Sequence, residues 1–205
     1  MYSMDHRQRL ESFVARLAAA PGGTVERIEI GSPVGDAELQ VVGDATGLTP
    51  SPALLAVYRQ MDGAILTWTW NEPGQPPLAG GLKMSRLLAA FLRAGAGEED
   101  EPLEGVLWNA DAPAKALAQL KTLSILDSSP GRGEFITFRG EDDPPQLFLV
   151  EDEEVAPLVP DLDETLEALW RHGGCDDLRP HLKHPDWRAR IAADPGLTRL
   201  AALTS

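Results

Sequence analysis

The sequence predicts an α+β protein in which a mixed but mainly antiparallel sheet packs against helices. Helical periodicity dominates the start of the chain, and short alternating runs joined by turn residues fill residues 123–151. A single amphipathic segment then closes the pattern at 162–174. Helices first, strands next and a helix last is an α+β order, since a parallel sheet needs strands and helices that alternate.

The first forty-four residues predict a helix followed by a β-hairpin. Apolar residues recur at helical spacing over 5–20, and Pro21-Gly22-Gly23 ends the segment. TVERIEI at 24–30 and AELQVV at 37–42 are rich in β-branched residues and partly alternate. A linker with Gly and Pro joins them, which favours a hairpin.

The clearest element is the segment LTPSPALLAVYRQMDG at 48–63. A hydroxyl residue beside proline suits a helix start, and Asp62-Gly63 suits its end, which predicts a helix. The run ILTWTW at 65–70 predicts a strand with Leu66, Trp68 and Trp70 on one face. A Pro/Gly-rich loop at 71–81 and a helix at about 84–94 are expected next.

The middle of the chain predicts a meander of antiparallel strands. After an acidic loop at 95–104, GVLWN at 105–109 is expected as a strand, and residues 114–120 remain ambiguous between helix and coil. Three better strands then follow, with turn residues between the last two. These strands are LSILD at 123–127, EFITFR at 134–139 and QLFLVE at 146–151.

Length and composition place the chain among ordinary globular proteins. Its 205 residues fit one compact domain, and 43% hydrophobic with 24% charged residues excludes wholesale disorder. A single cysteine, Cys175, allows no internal disulfide and fits a reducing cytoplasm. The N-terminus has no apolar signal-peptide core, and no apolar run approaches a membrane span. We therefore expect a cytoplasmic protein with no membrane partner.

Negative charge is concentrated in one part of the sequence. The formal net charge is −14, of which residues 98–170 alone carry −15. A nucleic-acid partner is not expected, because its phosphates would be repelled. The charge either keeps the protein soluble or forms a negative face that attracts a basic partner. The carboxylates predicted for such a face are Glu141, Asp142, Asp143, Glu151, Asp152, Glu153 and Glu154.

The element order over residues 45–172 resembles the SUKH superfamily, which contains a yeast regulator of cell-wall synthesis and many bacterial immunity proteins. Four segments carry the resemblance, although none is a catalytic motif. The hairpin at 24–42, the long loop at 71–104 and the tail at 175–205 have no clear counterpart in that pattern. The segments are LTPSPALLAVYRQMDGA, ILTWTW, LSILD with EFITF, and QLFLVEDEEVAPLVPDLDETLEALW.

The resemblance implies a sheet used as a binding surface, and in bacterial members commonly the neutralisation of a toxin by direct binding. A basic toxin domain would suit an acidic face, because complementary charge speeds association. Buried aromatic anchors could then hold the complex, and Trp68, Trp70 and Trp108 are the candidates. The alternative is that these tryptophans are ordinary core residues. A regulatory or scaffold protein of the same superfamily is the second functional hypothesis.

No catalytic residues, cofactor or metal ion are predicted. Cys175 lies near histidines in the sequence, but nothing specifies a reactive thiol, and no phosphate-binding loop is present. A small hydrolase or metal-dependent enzyme is the third hypothesis. Its support would be a cluster whose spacing matches no standard zinc site. The cluster consists of His172, Cys175, His181 and His184.

The last thirty-one residues are expected to form an extension of the main domain. We assign residues 1–174 to a SUKH-like domain, with the helix and hairpin at 1–44 and the core at 45–174. Residues 175–205 form a short C-terminal helical extension. Part of it, HPDWRARIAADPGL, looks like one leucine-rich-repeat-variant unit, which cannot bury a face alone. The extension is therefore expected either to cap the domain or to recruit a partner.

Overall fold

The chain forms seven helices and a seven-stranded antiparallel sheet among the residues that the structure describes. The computed structural model describes residues 5–92, 123–130, 132–139, 142–151 and 154–203. The α+β class is therefore confirmed, and every strand pair within these ranges is antiparallel rather than mixed. No helix in this part of the chain is long and apolar enough to cross a membrane.

The strands follow one another in the sheet in sequence order, from β1 to β7. Their bounds are β1 Gly23–Ile30, β2 Ala64–Trp70, β3 Leu78–Met84, β4 Leu123–Ser128, β5 Phe135–Arg139, β6 Leu147–Glu151 and β7 Glu154–Pro157. The helices are α1 His6–Ala19, α2 Asp36–Thr46, α3 Pro52–Tyr58, α4 Leu87–Leu92, α5 Leu162–Arg171, α6 Trp187–Ala193 and α7 Pro195–Leu203, with a 3-10 helix at Arg179–Lys183.

The predicted N-terminal hairpin at 24–42 is wrong. β1 pairs with β2, whereas residues 36–46 form α2. The carboxylate of Glu38 accepts a hydrogen bond from the backbone N–H of Gly35, and Gly47 ends the helix with φ at 69°. These caps satisfy free backbone groups at both ends of α2, which favours a helix over a second strand.

The predicted loop at 71–81 is also shorter than expected, because its last residues belong to β3. Leu78–Met84 pairs with the whole of β2, and the following helix begins at Leu87. The sequence pattern does not predict this strand because it contains Gly80 and Gly81, and glycine has little strand propensity. The expected strand at 105–109 and the ambiguous segment at 114–120 lie outside the described residues.

The sheet is weakly joined at its centre. β3 pairs with β4 through only two registered positions, Lys83 with Ser128 and Met84 with Asp127. Residues 174–176 lie beside the rest of β3, where Gly80 bridges Cys175 and the Gly81 N–H donates to the Gly174 carbonyl at 3.0 Å. The chain following α5 therefore takes the place that β4 leaves open.

The extension expected at 175–205 packs on the main body of the protein. Its apolar residues belong to the same core cluster as the inner face of the sheet and helices α1, α3 and α5. A second, smaller cluster lies on the other face of β4 to β7. The extension contributes Leu178, Leu182, Trp187, Leu197 and Leu200 to the main core.

Candidate docking surface

Two of the three tryptophans proposed as partner anchors, Trp68 and Trp70, lie in the core. Trp68 and Trp70 are 1% and 5% exposed, and they share the inner face of β2, as the alternation predicts that they share one face. Their indole N–H groups donate to the carbonyls of Gly173 at 2.7 Å and Pro21 at 3.0 Å. Because both are enclosed and hydrogen-bonded, neither is presented at the surface. Trp108 lies outside the described residues.

The four predicted acidic residues that the structure describes form two pairs. Asp142 and Asp143 lie in the turn that enters β6, whereas Glu151 and Glu154 lie where β6 ends and β7 begins. The five residues of β6 span roughly 16 Å at the usual rise of a strand. The two described pairs therefore lie at opposite ends of β6. Glu141, Asp152 and Glu153 lie outside the described residues.

A buried ion pair lies near the second of these acidic pairs. The guanidinium of Arg179, fully buried, donates from Nε and Nη2 to one oxygen of Asp127 at 3.0 and 2.7 Å. A β-bulge in β4 turns Asp127 towards the inner face, where Arg179 also donates to the carbonyl of Gly81 at 3.0 Å. Burial raises the pKa of Asp127, and the attraction of Arg179 opposes that shift.

Glu134 lies beside this ion pair, at the start of β5. It is 7% exposed, and its Oε2 has no hydrogen-bond partner. Burial raises the pKa of Glu134 to about 7, although the positive charges of Arg179 and Arg132 oppose the shift. Repulsion from the negative charges of Glu151 and Asp176 also raises the pKa of Glu134.

We call the group of carboxylates at this end of the strands the acidic end. They are Glu134, Glu151, Glu154, Asp176 and Asp177.

The acidic end is only partly neutralised by neighbouring cations. Lys183 pairs with Glu151 and, at 3.4 Å, with Glu154. Arg132 lies 3.7 Å from Asp176 and 3.4 Å from Asp177. The side chains of Glu154 and Asp177 remain 66% and 61% exposed. The result is a negative surface with two accessible carboxylates, supported by the strands and by the buried ion pair.

The histidine and cysteine cluster does not form a metal site in this fold. His172 and Cys175 are buried, and burial raises the pKa of the Cys175 thiol to about 11. The His181 ring lies 3.8 Å from Asp194. Within the described ranges, no group of three or more histidine, cysteine or carboxylate side chains could hold a metal ion. A thiol with so high a pKa is also poorly suited to nucleophilic chemistry.

No sequence pattern pointed to Asp176 and Asp177 in this surface, or to the buried Arg179 that contacts Asp127. They follow Gly173-Gly174, in the tail that the sequence predicts as an extension of the main domain. An Asp-Asp pair next to a glycine turn is a weak signal, because such residues are common in exposed loops. Only the return of the chain to β3 brings them beside Glu134.

No family model, curated protein or solved structure matches this chain, so its function is inferred from the geometry of the described surface and from the sequence pattern.

Proposed function

We propose that this protein is a non-catalytic protein-binding module, namely a bacterial immunity protein that neutralises a basic toxin domain by direct binding in the cytoplasm. The acidic end is the observation that carries the proposal. The α+β order, similar to that of the SUKH superfamily, adds to it.

The acidic end suits a protein partner because its carboxylates are held on several rigid elements. Glu134 directly precedes β5, Glu151 ends β6 and Glu154 begins β7, while Asp176 and Asp177 come from the chain beside β3. Negative groups fixed in this way create a field that speeds the approach of a positive surface. Their separation favours an extended basic surface over a single ion.

The chemistry of the partner follows from the two exposed carboxylates. Glu154 and Asp177 can pair with lysine or arginine side chains, and guanidinium groups bind carboxylates through two parallel hydrogen bonds. The resemblance to immunity proteins implies a toxin as the partner, and many toxin domains that act on nucleic acids are basic. Such a domain would be bound at the surface with which it contacts phosphate groups.

Charge reversal at the acidic end tests the proposal. We expect Glu154→Lys with Asp177→Lys to slow association with a basic nuclease toxin domain at least tenfold at low salt, because steering acts mainly on the association rate. Stopped-flow kinetics at several salt concentrations measures this effect. Glu26→Lys with Asp44→Lys is the matched control, since it changes the net charge equally at exposed positions on β1 and α2.

Equal rates for the two double variants would contradict docking at the acidic end. Failure of the wild-type chain to bind any basic toxin domain would contradict the immunity function. Capture of several unrelated partners without inhibition would instead favour a regulatory scaffold.

A further inference from the structure

A cavity of about 440 Å³ lies between α5 and the two C-terminal helices, apart from the acidic end. Its volume falls within the range of about 300–1,000 Å³ that is typical of small-molecule sites. The most enclosed of its lining residues are Ala168, His172, Trp187 and Leu197, each 9% exposed or less. The floor is thus mainly apolar and aromatic.

His172 is the polar group in this floor, and it is uncharged near neutral pH. Its Nδ1 lies 2.9 Å from the carbonyl oxygen of Ala168, which can only accept, so Nδ1 carries the proton. Burial lowers the pKa of His172, which keeps the ring neutral. The floor therefore offers an apolar group a surface without charge.

The charges at the mouth of the cavity are mostly paired with one another. Glu164 pairs with Arg188, and Glu167 pairs with Arg9 of α1. Arg188 also lies over the ring of Trp187, 4.4 Å from its centroid. Both carboxylates that line the cavity, and Arg188, therefore already have partners.

Arg171 is the exception at this mouth. It lines the cavity in the last turn of α5 and is exposed, and no ion pair joins it to a carboxylate in the described part of the chain. An unpaired guanidinium beside an apolar cavity is complementary to a ligand with an apolar body and a single anionic head.

We propose that this cavity binds a small apolar carboxylate, with its hydrocarbon body against the floor and its carboxylate on Arg171. A few polar groups that orient a mostly apolar ligand are the usual composition of a small-molecule site. This site is independent of the proposed toxin binding, because it uses none of the residues of the acidic end.

The sign of the ligand charge provides a strict test. The whole chain carries −14, so non-specific attraction would favour a cation over an anion. We expect isothermal titration calorimetry of the full chain to show octanoate binding about tenfold more tightly than octylammonium or octan-1-ol. Tighter binding of octylammonium, or no saturable binding of octanoate at millimolar concentration, would overturn the proposal.

Two substitutions test separately how the carboxylate of the ligand and its hydrocarbon body contribute to binding. Arg171→Gln should remove the preference for octanoate over octan-1-ol, whereas Arg27→Gln on β1, which does not line the cavity, should retain it. Ala201→Phe fills the cavity and should abolish binding of both molecules. Ala192→Phe, at an exposed position of the same wall, serves where Ala201→Phe does not fold. Unchanged octanoate binding in Arg171→Gln, or in the filled variant, would refute the site.

Discussion

Glu134 shows how a single buried carboxylate can make stability depend on pH. Its pKa rises from 4.5 to about 7 on folding, chiefly through burial. Between these values the folded protein holds the proton more tightly than the unfolded chain does. The free energy of unfolding should therefore decrease as pH rises from about 4.5 through 7.

Glu134→Gln should remove most of this dependence. Glutamine keeps the shape of the side chain without a charge, so we expect the variant to be more stable than wild type by about 3 kcal/mol at pH 8 and nearly equal to it at pH 4.5. Urea unfolding at both pH values measures the difference. Glu26→Gln, at an exposed position on β1, is the control and should change stability little at either pH. An equal effect of Glu134→Gln at the two pH values would contradict a raised pKa.

The burial of three residues near the site, Trp68, Trp70 and Arg179, could not be predicted from the sequence. The alternation of β2 correctly predicts that Trp68 and Trp70 share a face, but alternation alone cannot show which face meets the core. Arg179 likewise gives no sign of burial, because a lone arginine in a polar tail is normally exposed. In the fold, each of these three side chains lies enclosed by segments distant in sequence.

At the scale of elements, local pattern predicted most strands and helices but not all partners. The helices at 5–20 and 162–174 and the strands from 123 to 151 are confirmed because periodicity and turn residues agree there. Residues 37–42 belong to α2, whose N-cap Gly35 and C-cap Gly47 lie outside the β-rich run. β1 consequently pairs with β2, and this choice depends on long-range packing that no local pattern encodes.

The turn after α5 requires glycine at Gly173, both for its positive φ and because a side chain there would clash with its neighbours. Comparison with Gly74, where only the positive φ applies, separates the two effects. Gly173 has φ at 57°, and a Cβ there would lie 2.2 Å from the ring of Phe13. Gly74 has φ at 81°, but a Cβ there would meet nothing within 4 Å. Both positions favour glycine, yet only Gly173 is enclosed by other groups.

Gly173→Ala should therefore destabilise the protein far more than Gly74→Ala. We expect a loss of about 3 kcal/mol or more for the first and about 1 kcal/mol for the second, since a positive φ alone accounts for the smaller effect. Thermal unfolding followed by circular dichroism measures both. Similar losses for the two variants would show that Phe13 does not pack against this turn.

At the scale of the whole molecule, Arg179 joins parts of the chain that would otherwise be weakly connected. Its guanidinium contacts Asp127 of β4, the carbonyl of Gly81 in β3 and, at 3.4 Å, the carbonyl of Gly174. β3 and β4 themselves share only two registered positions. The C-terminal segment thus links the two halves of the sheet, and the acidic end is built across that link.

Removing this guanidinium should destabilise the entire fold. Arg179→Met leaves Asp127 buried without its partner, and we expect a loss of about 3–5 kcal/mol in the free energy of unfolding. Arg132→Met, which removes an exposed arginine from its pairs with Asp176 and Asp177, should cost less than about 1 kcal/mol. Guanidinium chloride unfolding compares the two variants.

A second substitution distinguishes a lost ion pair from a cavity left by the arginine side chain. Combining Asp127→Leu with Arg179→Met removes the uncompensated carboxylate, so the double variant should regain part of the lost stability. For each variant that folds, we expect both halves of the sheet to unfold in one transition, because they share one hydrophobic core. Hydrogen exchange in β2 and β5 measures this. If the double variant is no more stable than Arg179→Met, then the charge on Asp127 is not what makes Arg179 necessary.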